Sequence, residues 1–135
     1  MSKILIVEDD KELGALLADS LTFEHHRVEQ ACTGDEAWEL ISMGGYDLLI
    51  LDWDVPSISG VELCRRLRSG GNNVPIILLT GKKSLSNKLE GLDSGADDYV
   101  TKPCDVEEIA ARVRAALRRA GGTSSNVLKV RNIQL

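Results

Sequence analysis

DLLILDWDVPSISG, residues 47–60, runs four large aliphatic residues into an aspartate and then turns through Pro56 and Gly60. An unbroken aliphatic run closed by turn residues reads as a strand buried on both faces, as in a parallel sheet covered by helices. The same texture recurs in KILIVE (3–8) and PIILLT (75–80), and shorter apolar runs lie at RVEQAC (27–32) and DYVTK (98–102). Helical spacing of three and four fills the intervals. It places Leu13, Leu16, Leu17 and Leu21 on one stripe in 11–24, and Ala37, Trp38 and Ile41 in 35–43. Leu63, Cys64 and Leu67 follow in 59–68, Leu85, Leu89 and Leu92 in 84–94, and Val106, Ile109, Val113 and Leu117 in 106–119. Strand and helix alternate five times, which predicts an α/β fold with an open, doubly wound sheet.

The 135 residues suit one domain with a sizeable core, and 43% apolar with 27% charged residues is an ordinary globular balance. The formal net charge of −5 argues against non-specific binding to DNA or anionic membrane by the chain as a whole. The apolar runs are too short to span a bilayer, and the N-terminus turns acidic at Glu8, unlike a signal peptide. Cys32, Cys64 and Cys104 are odd in number and widely spaced, so they read as reduced thiols of a cytoplasmic protein.

Asp105 as N-cap, Arg118 and Arg119 in a last turn, and Gly121 behind them predict where the final helix begins and ends. GGTSSN (121–126) has linker composition, and VLKVRNIQL (127–135) alternates like a new strand with no partner to pair with. The expectation is one domain over 1–120, with 121–135 a linker and the first strand of a truncated second domain.

Ligands of an open parallel sheet bind beyond the carboxyl ends of its strands. Here the first strand ends in Glu8-Asp9-Asp10, the third in Asp52, the fourth in Thr80-Gly81 and the fifth in Lys102-Pro103. Glu8, Asp9 and Asp52 drawn together would repel one another unless a cation sat among them. Oxygen ligands with open positions favour Mg²⁺, which bridges readily to phosphate. A carboxylate can itself accept a phosphoryl group, and Lys and Mg²⁺ stabilise the charge spread over that group in transfer. Thr80 adds a hydroxyl. Each residue also has a plain structural role: acids cap helices, Thr favours strands and Lys is solvated. Their joint placement at the strand ends outweighs it.

ILIVEDD (4–10), LLILDWDVPSISG (48–60), PIILLTG (75–81) and GADDYVTKP (95–103) together resemble the receiver domain of two-component response regulators. The linker and VLKVRNIQL further resemble the start of the winged-helix DNA-binding half of the OmpR/PhoB-like subfamily. The resemblance implies a flavodoxin/CheY-like (βα)5 fold, a five-stranded parallel sheet of strand order 2-1-3-4-5. It implies Asp52 as the phosphoacceptor for a sensor histidine kinase. Asp9 and Asp52 would hold Mg²⁺ (or Mn²⁺) directly and Glu8 through water, with help from the backbone carbonyl of Asp54. Thr80 and Lys102 would bind the phosphoryl oxygens, Lys102–Pro103 would be cis, and Tyr99 would be the aromatic switch that turns inward on phosphorylation.

The resemblance also implies a homodimer through the fourth helix, fifth strand and fifth helix, the face carrying Lys88, Asp97, Asp98, Glu108, Arg112 and Arg119. Lys88 would meet Glu108, and Asp98 would meet Arg112, across a two-fold axis. DNA would be bound only by the missing C-terminal domain, and no membrane is involved. Ordinary solvated surface is the plain reading of these charges.

Asp54 departs from the family pattern, in which an apolar or uncharged residue is usual. It is expected to pair with Lys82 across the rim of the site. Gly81 stands where Ala or Ser is usual, and Cys104 where an aromatic is common; Cys104 is expected to be a small packed residue. Asp52-x-Asp54 also suits a haloacid-dehalogenase-type phosphatase, although Val55-Pro56 follows and the nucleophile comes after the metal acids. A pseudo-receiver that binds protein without phosphorylation is the third reading.

Overall fold

The computed structural model describes residues 2–125. Five strands alternate with five helices: β1 (Lys3–Val7), α1 (Lys11–Phe23), β2 (Arg27–Ala31), α2 (Gly34–Ser42), β3 (Leu48–Asp52), α3 (Gly60–Ser69), β4 (Ile76–Thr80), α4 (Leu85–Asp93), β5 (Asp98–Thr101) and α5 (Val106–Ser125). The strands form one parallel sheet in the order β2-β1-β3-β4-β5. The expected fold class and strand order are both present. Among the described residues, no helix is long and apolar enough to cross a membrane.

Strand side chains alternate between two faces, so the sheet separates two cores. Leu5, Val7, Leu49, Leu51, Ile76 and Leu78 pack against α2 and α3 through Ala37, Ile41, Leu63 and Leu67. Ile4, Ile6, Leu48, Ile50, Ile77 and Leu79 face α1 and α5 through Leu17, Leu21, Ile109 and Val113. Central strands buried on both sides explain their unbroken aliphatic texture. Side-chain oxygens of Asp10, Thr33, Ser59 and Ser84 accept backbone N–H bonds at the starts of α1 to α4. Each satisfies donors that a helix leaves without an internal partner.

Two expected apolar stripes are corrected. In α1 the buried residues are Gly14, Leu17, Ala18 and Leu21, while Leu16 is exposed. In α4 only Gly91 is buried, and Leu85, Leu89 and Leu92 face outward. Spacing identifies an apolar face but not what covers it, and α4 meets the body of the protein through a glycine.

The last helix also differs from expectation. It continues to Ser125, through five residues of the stretch read as linker, and Gly121 does not take the left-handed conformation of a C-cap. A glycine inside a helix costs about 1 kcal/mol relative to alanine, which weakens the helix without forbidding it. The strand expected over 127–135 lies outside the described residues.

Candidate functional site

β1, β3 and β4 are neighbours in the sheet, and their carboxyl ends bring Glu8, Asp52 and Thr80 to one edge. Glu8, Asp52 and Thr80 are all buried, whereas Asp9 is exposed. Glu8, Asp9 and Asp52 can each offer an oxygen, and these atoms lie within 4.8 Å of one another. Asp10 is the helix cap instead, accepting from the N–H groups of Glu12 and Leu13.

Lys102 reaches in from the end of β5. Its Nζ lies 2.9 Å from Glu8 Oε1 and 3.1 Å from Asp52 Oδ2. Burial works against the Lys102 ammonium, but Glu8 and Asp52 outweigh it and hold its pKa above the ordinary value. Burial, reinforced by Asp52, pushes the Glu8 carboxyl up from 4.5 to about 7, with Lys102 opposing. Glu8 Oε1 is buried and, despite its closeness to Lys102, lacks a partner with hydrogen-bond geometry. Three carboxylates gathered around one ammonium remain short of positive charge, and such an all-oxygen set fits a hard divalent cation.

The loop after β3 is held close. Trp53, Val55 and Ile58 are buried, and the Gly60 N–H donates to the Trp53 carbonyl at 3.0 Å. A Cβ at Gly60 would lie 2.5 Å from the Asp52 carbonyl oxygen, so only glycine permits this approach. The Asp54 N–H donates to Asp52 Oδ1 at 3.2 Å. The Lys82 N–H donates to Thr80 Oγ1 at 3.0 Å. At the rim, Lys82 Nζ stands 3.8 Å from Asp54 Oδ1.

Tyr99 is buried, and its hydroxyl donates to the Lys82 carbonyl at 2.6 Å. Burial raises the phenol pKa and the adjacent Thr80 hydroxyl opposes that rise. The ring therefore already occupies the inward position, under α4, which the resemblance had it take up on phosphorylation. The Lys102–Pro103 peptide is cis. Cys32, Cys64 and Cys104 are free thiols, and Cys104 packs at the edge of the α1/α5 core.

The face expected to dimerise carries pairs made within the chain. Arg112 Nη1 lies 2.9 and 3.0 Å from the two oxygens of Asp98, and Nη2 lies 2.9 Å from Glu108 Oε2. Asp97 Oδ2 accepts from Arg68 Nη2 at 3.0 Å and from the Ile76 N–H at 2.8 Å. Arg119 lines a cleft with Asp97, and Lys88 is exposed on α4. Sequence reasoning had grouped the acid cluster, Thr80, Lys102 and the rim pair, and the structure places these groups at the same edge of the sheet. It missed Gly91, a glycine interrupting the α4 leucines, and the part played by Trp53, an aromatic between two aspartates.

The response regulator receiver domain family matches residues 4–114. Response regulator MprA of Mycobacterium ulcerans is 47% identical over 117 residues, 87% of this chain and 50% of that protein. The uncharacterized transcriptional regulatory protein YkoG of Bacillus subtilis is 44% identical over 124 residues, 92% of this chain and 54% of that protein. The chain thus spans about half the length of these relatives. The receiver domain of the Francisella response regulator 1452 superposes with a TM-score of 0.86 at 35% identity, covering 89% of this chain and 99% of that one.

Proposed function

Because this chain belongs to the response regulator receiver domain family, we propose that Asp52 is the phosphoacceptor of a phosphorylation-controlled switch. The observation that carries this reading is the Asp52 carboxylate, buried at the end of β3, with the Lys102 ammonium 3.1 Å from Oδ2. The donor is a phosphohistidine of a sensor histidine kinase. An Asp52 oxygen attacks phosphorus, the P–N bond breaks, and its electron pair returns to the histidine ring. Lys102 and the Thr80 hydroxyl bind the phosphoryl oxygens. Glu8, Asp9 and Asp52, with the backbone carbonyl of Asp54, would hold Mg²⁺ (or Mn²⁺), which supplies charge neutralisation for the carboxylates and the transferring group.

On this reading Thr80 shifts toward the phosphoryl group and loses its place beside the Tyr99 hydroxyl, biasing the β4–α4 loop and α4 between two arrangements. The outward leucines of α4 and the charges of β5 and α5 then form a homodimer face. For such a dimer, Arg112 exchanges its partners within the chain for the same partners on a second copy. The output is transcriptional and cytoplasmic, through a DNA-binding region beyond the described residues. The similarity to the transcriptional regulatory protein YkoG of Bacillus subtilis supports the transcriptional part of this reading.

The test is intact mass after incubation with acetyl phosphate and Mg²⁺. The parent gains one phosphoryl group, and Asp52→Asn and the chelator-treated parent gain none. Equal uptake by Asp52→Asn overturns the assignment. Repeated turnover of a generic phosphate ester would favour the phosphatase, and a parent that takes up nothing would favour the pseudo-receiver.

A further inference from the structure

The loop from Trp53 to Ser59 leaves Asp52 and returns to start α3. One end is fixed where the Trp53 N–H donates to the Leu79 carbonyl at 2.9 Å. Its apex hangs from the start of α2. The Pro56 carbonyl accepts the Gly34 N–H at 2.8 Å, and Ser57 Oγ accepts the Asp35 N–H at 3.0 Å. The Ser57 hydroxyl donates in turn to the Pro56 carbonyl at 2.6 Å. A helix start leaves N–H groups without internal partners. In α2, Thr33 Oγ1 takes that of Glu36, and the loop takes those of Gly34 and Asp35. The approach is close, since a Cβ at Gly34 would lie 2.0 Å from the Ile58 carbonyl oxygen. Ser57 has a φ of 71°, in the left-handed region that glycine enters freely and serine only at a cost. What serine adds over glycine here is the acceptor for Asp35. Asp54 lies between the two anchors. Its N–H donates to Asp52 Oδ1 at 3.2 Å and its side chain is exposed, so the backbone on either side fixes where its carbonyl lies.

We propose that Ser57, by tying this loop to the start of α2, positions the Asp54 carbonyl for a divalent cation and so sets the affinity of the site for Mg²⁺. The inference rests on the reading of Glu8, Asp9, Asp52 and the Asp54 carbonyl as the ligands of that cation. Mg²⁺ demands near-ideal octahedral geometry, so a carbonyl on a loop serves it only where the loop is held. The side chain of Ser57 touches neither the ligand atoms nor the reacting ones. It is a positioning residue, acting through the backbone of Pro56 and Val55.

A positioning role and a merely structural one separate when metal affinity and stability are measured side by side. Mg²⁺ is titrated into the metal-free chain by calorimetry, and unfolding is followed in urea. Ser57→Gly keeps the left-handed backbone and removes the acceptor. It weakens Mg²⁺ binding by roughly three- to tenfold, near the lower end of what loss of an outer-shell partner costs. Its urea midpoint stays near that of the parent, because relief of the backbone opposes loss of the bond. Ser57→Asn restores an acceptor on a residue that tolerates the same backbone, and it binds Mg²⁺ like the parent. Thr33→Ala removes the cap that α2 carries itself, so it lowers the urea midpoint and leaves Mg²⁺ affinity unchanged. Phosphoryl uptake from acetyl phosphate by Ser57→Gly lags at low Mg²⁺ and matches the parent at saturation. Equal Mg²⁺ affinity in Ser57→Gly and the parent overturns the inference, as does an equal weakening by Thr33→Ala or Ser57→Asn. A parent that binds no Mg²⁺ overturns the reading of the ligands, and the role of Ser57 with it. A parent that binds Mg²⁺ but takes up no phosphoryl group overturns the reading of Asp52 as phosphoacceptor alone.

Discussion

A Cβ on Gly91 would fall 2.7 Å from both Cδ2 and Cε2 of Tyr99. The inward seat of the Tyr99 ring therefore exists because α4 has no side chain there. Gly91→Ala is expected to turn the ring outward while changing stability by no more than about 1 kcal/mol, since alanine favours the helix and the overlap opposes it. Fluorotyrosine NMR of the ring checks the first part and urea unfolding the second. An unchanged ring environment contradicts the account.

Gly60 differs, because its Cβ would meet backbone. The Asp52 carbonyl oxygen at 2.5 Å cannot move without disturbing the end of β3. Gly60→Ala is expected to destabilise the domain by roughly 1–3 kcal/mol and to lower phosphoryl uptake. Denaturant unfolding and intact mass measure the two effects.

The Glu8 carboxyl, raised from 4.5 to about 7, makes the metal-free fold pH-sensitive. The folded chain holds this proton more tightly than the unfolded chain. The associated stability is thus fully present below pH 4.5 and is lost as pH rises through about 7. In chelator, the melting temperature of the parent should fall across that window relative to Glu8→Gln. Mg²⁺ should offset the fall, because it favours the ionised form. Parallel pH profiles for parent and variant would contradict the shift.

Lys102 counters two buried carboxylates while keeping 26% of its own side chain exposed. Lys102→Met leaves Glu8 and Asp52 facing each other without a cation. The expected loss is about 1–3 kcal/mol, below that of a fully buried pair because water still reaches the lysine. Chelated samples unfolded in urea give the loss, and Mg²⁺ should stabilise the variant more than the parent.

The outward α4 leucines allow a prediction about the proposed dimer. Leu85→Ser with Leu89→Ser should change monomer stability by under about 0.5 kcal/mol, because both side chains are already exposed. The same change should weaken any dimer that forms on phosphorylation. Analytical ultracentrifugation with and without acetyl phosphate compares the two, and equal dimerisation by parent and variant argues against this face.

The residues at the strand ends were legible because a parallel α/β sheet collects strand C-termini at one edge, whatever the details of packing. Glu8, Asp9, Asp52, Thr80 and Lys102 could be grouped from their position after an aliphatic run. The α4 leucines were not legible as surface, since spacing of three and four looks the same on a helix that faces a core and one that faces solvent. Asp98 and Arg112 show the same limit for charge. Complementary residues 14 apart could be paired across two copies or within one, and the fold makes the pair within one.

By itself the amino-acid order determined the alternation of strands and helices, the two-sided burial of the central strands and the chemistry gathered at their ends. These follow from local periodicity and residue type, which need no knowledge of neighbours. Only the tertiary structure decided that Gly91 makes room for Tyr99, that Lys82 rests on Trp53 and that Lys102 reaches both Glu8 and Asp52. Those relationships depend on distances of a few ångströms between segments far apart in the chain, and such distances are set by packing.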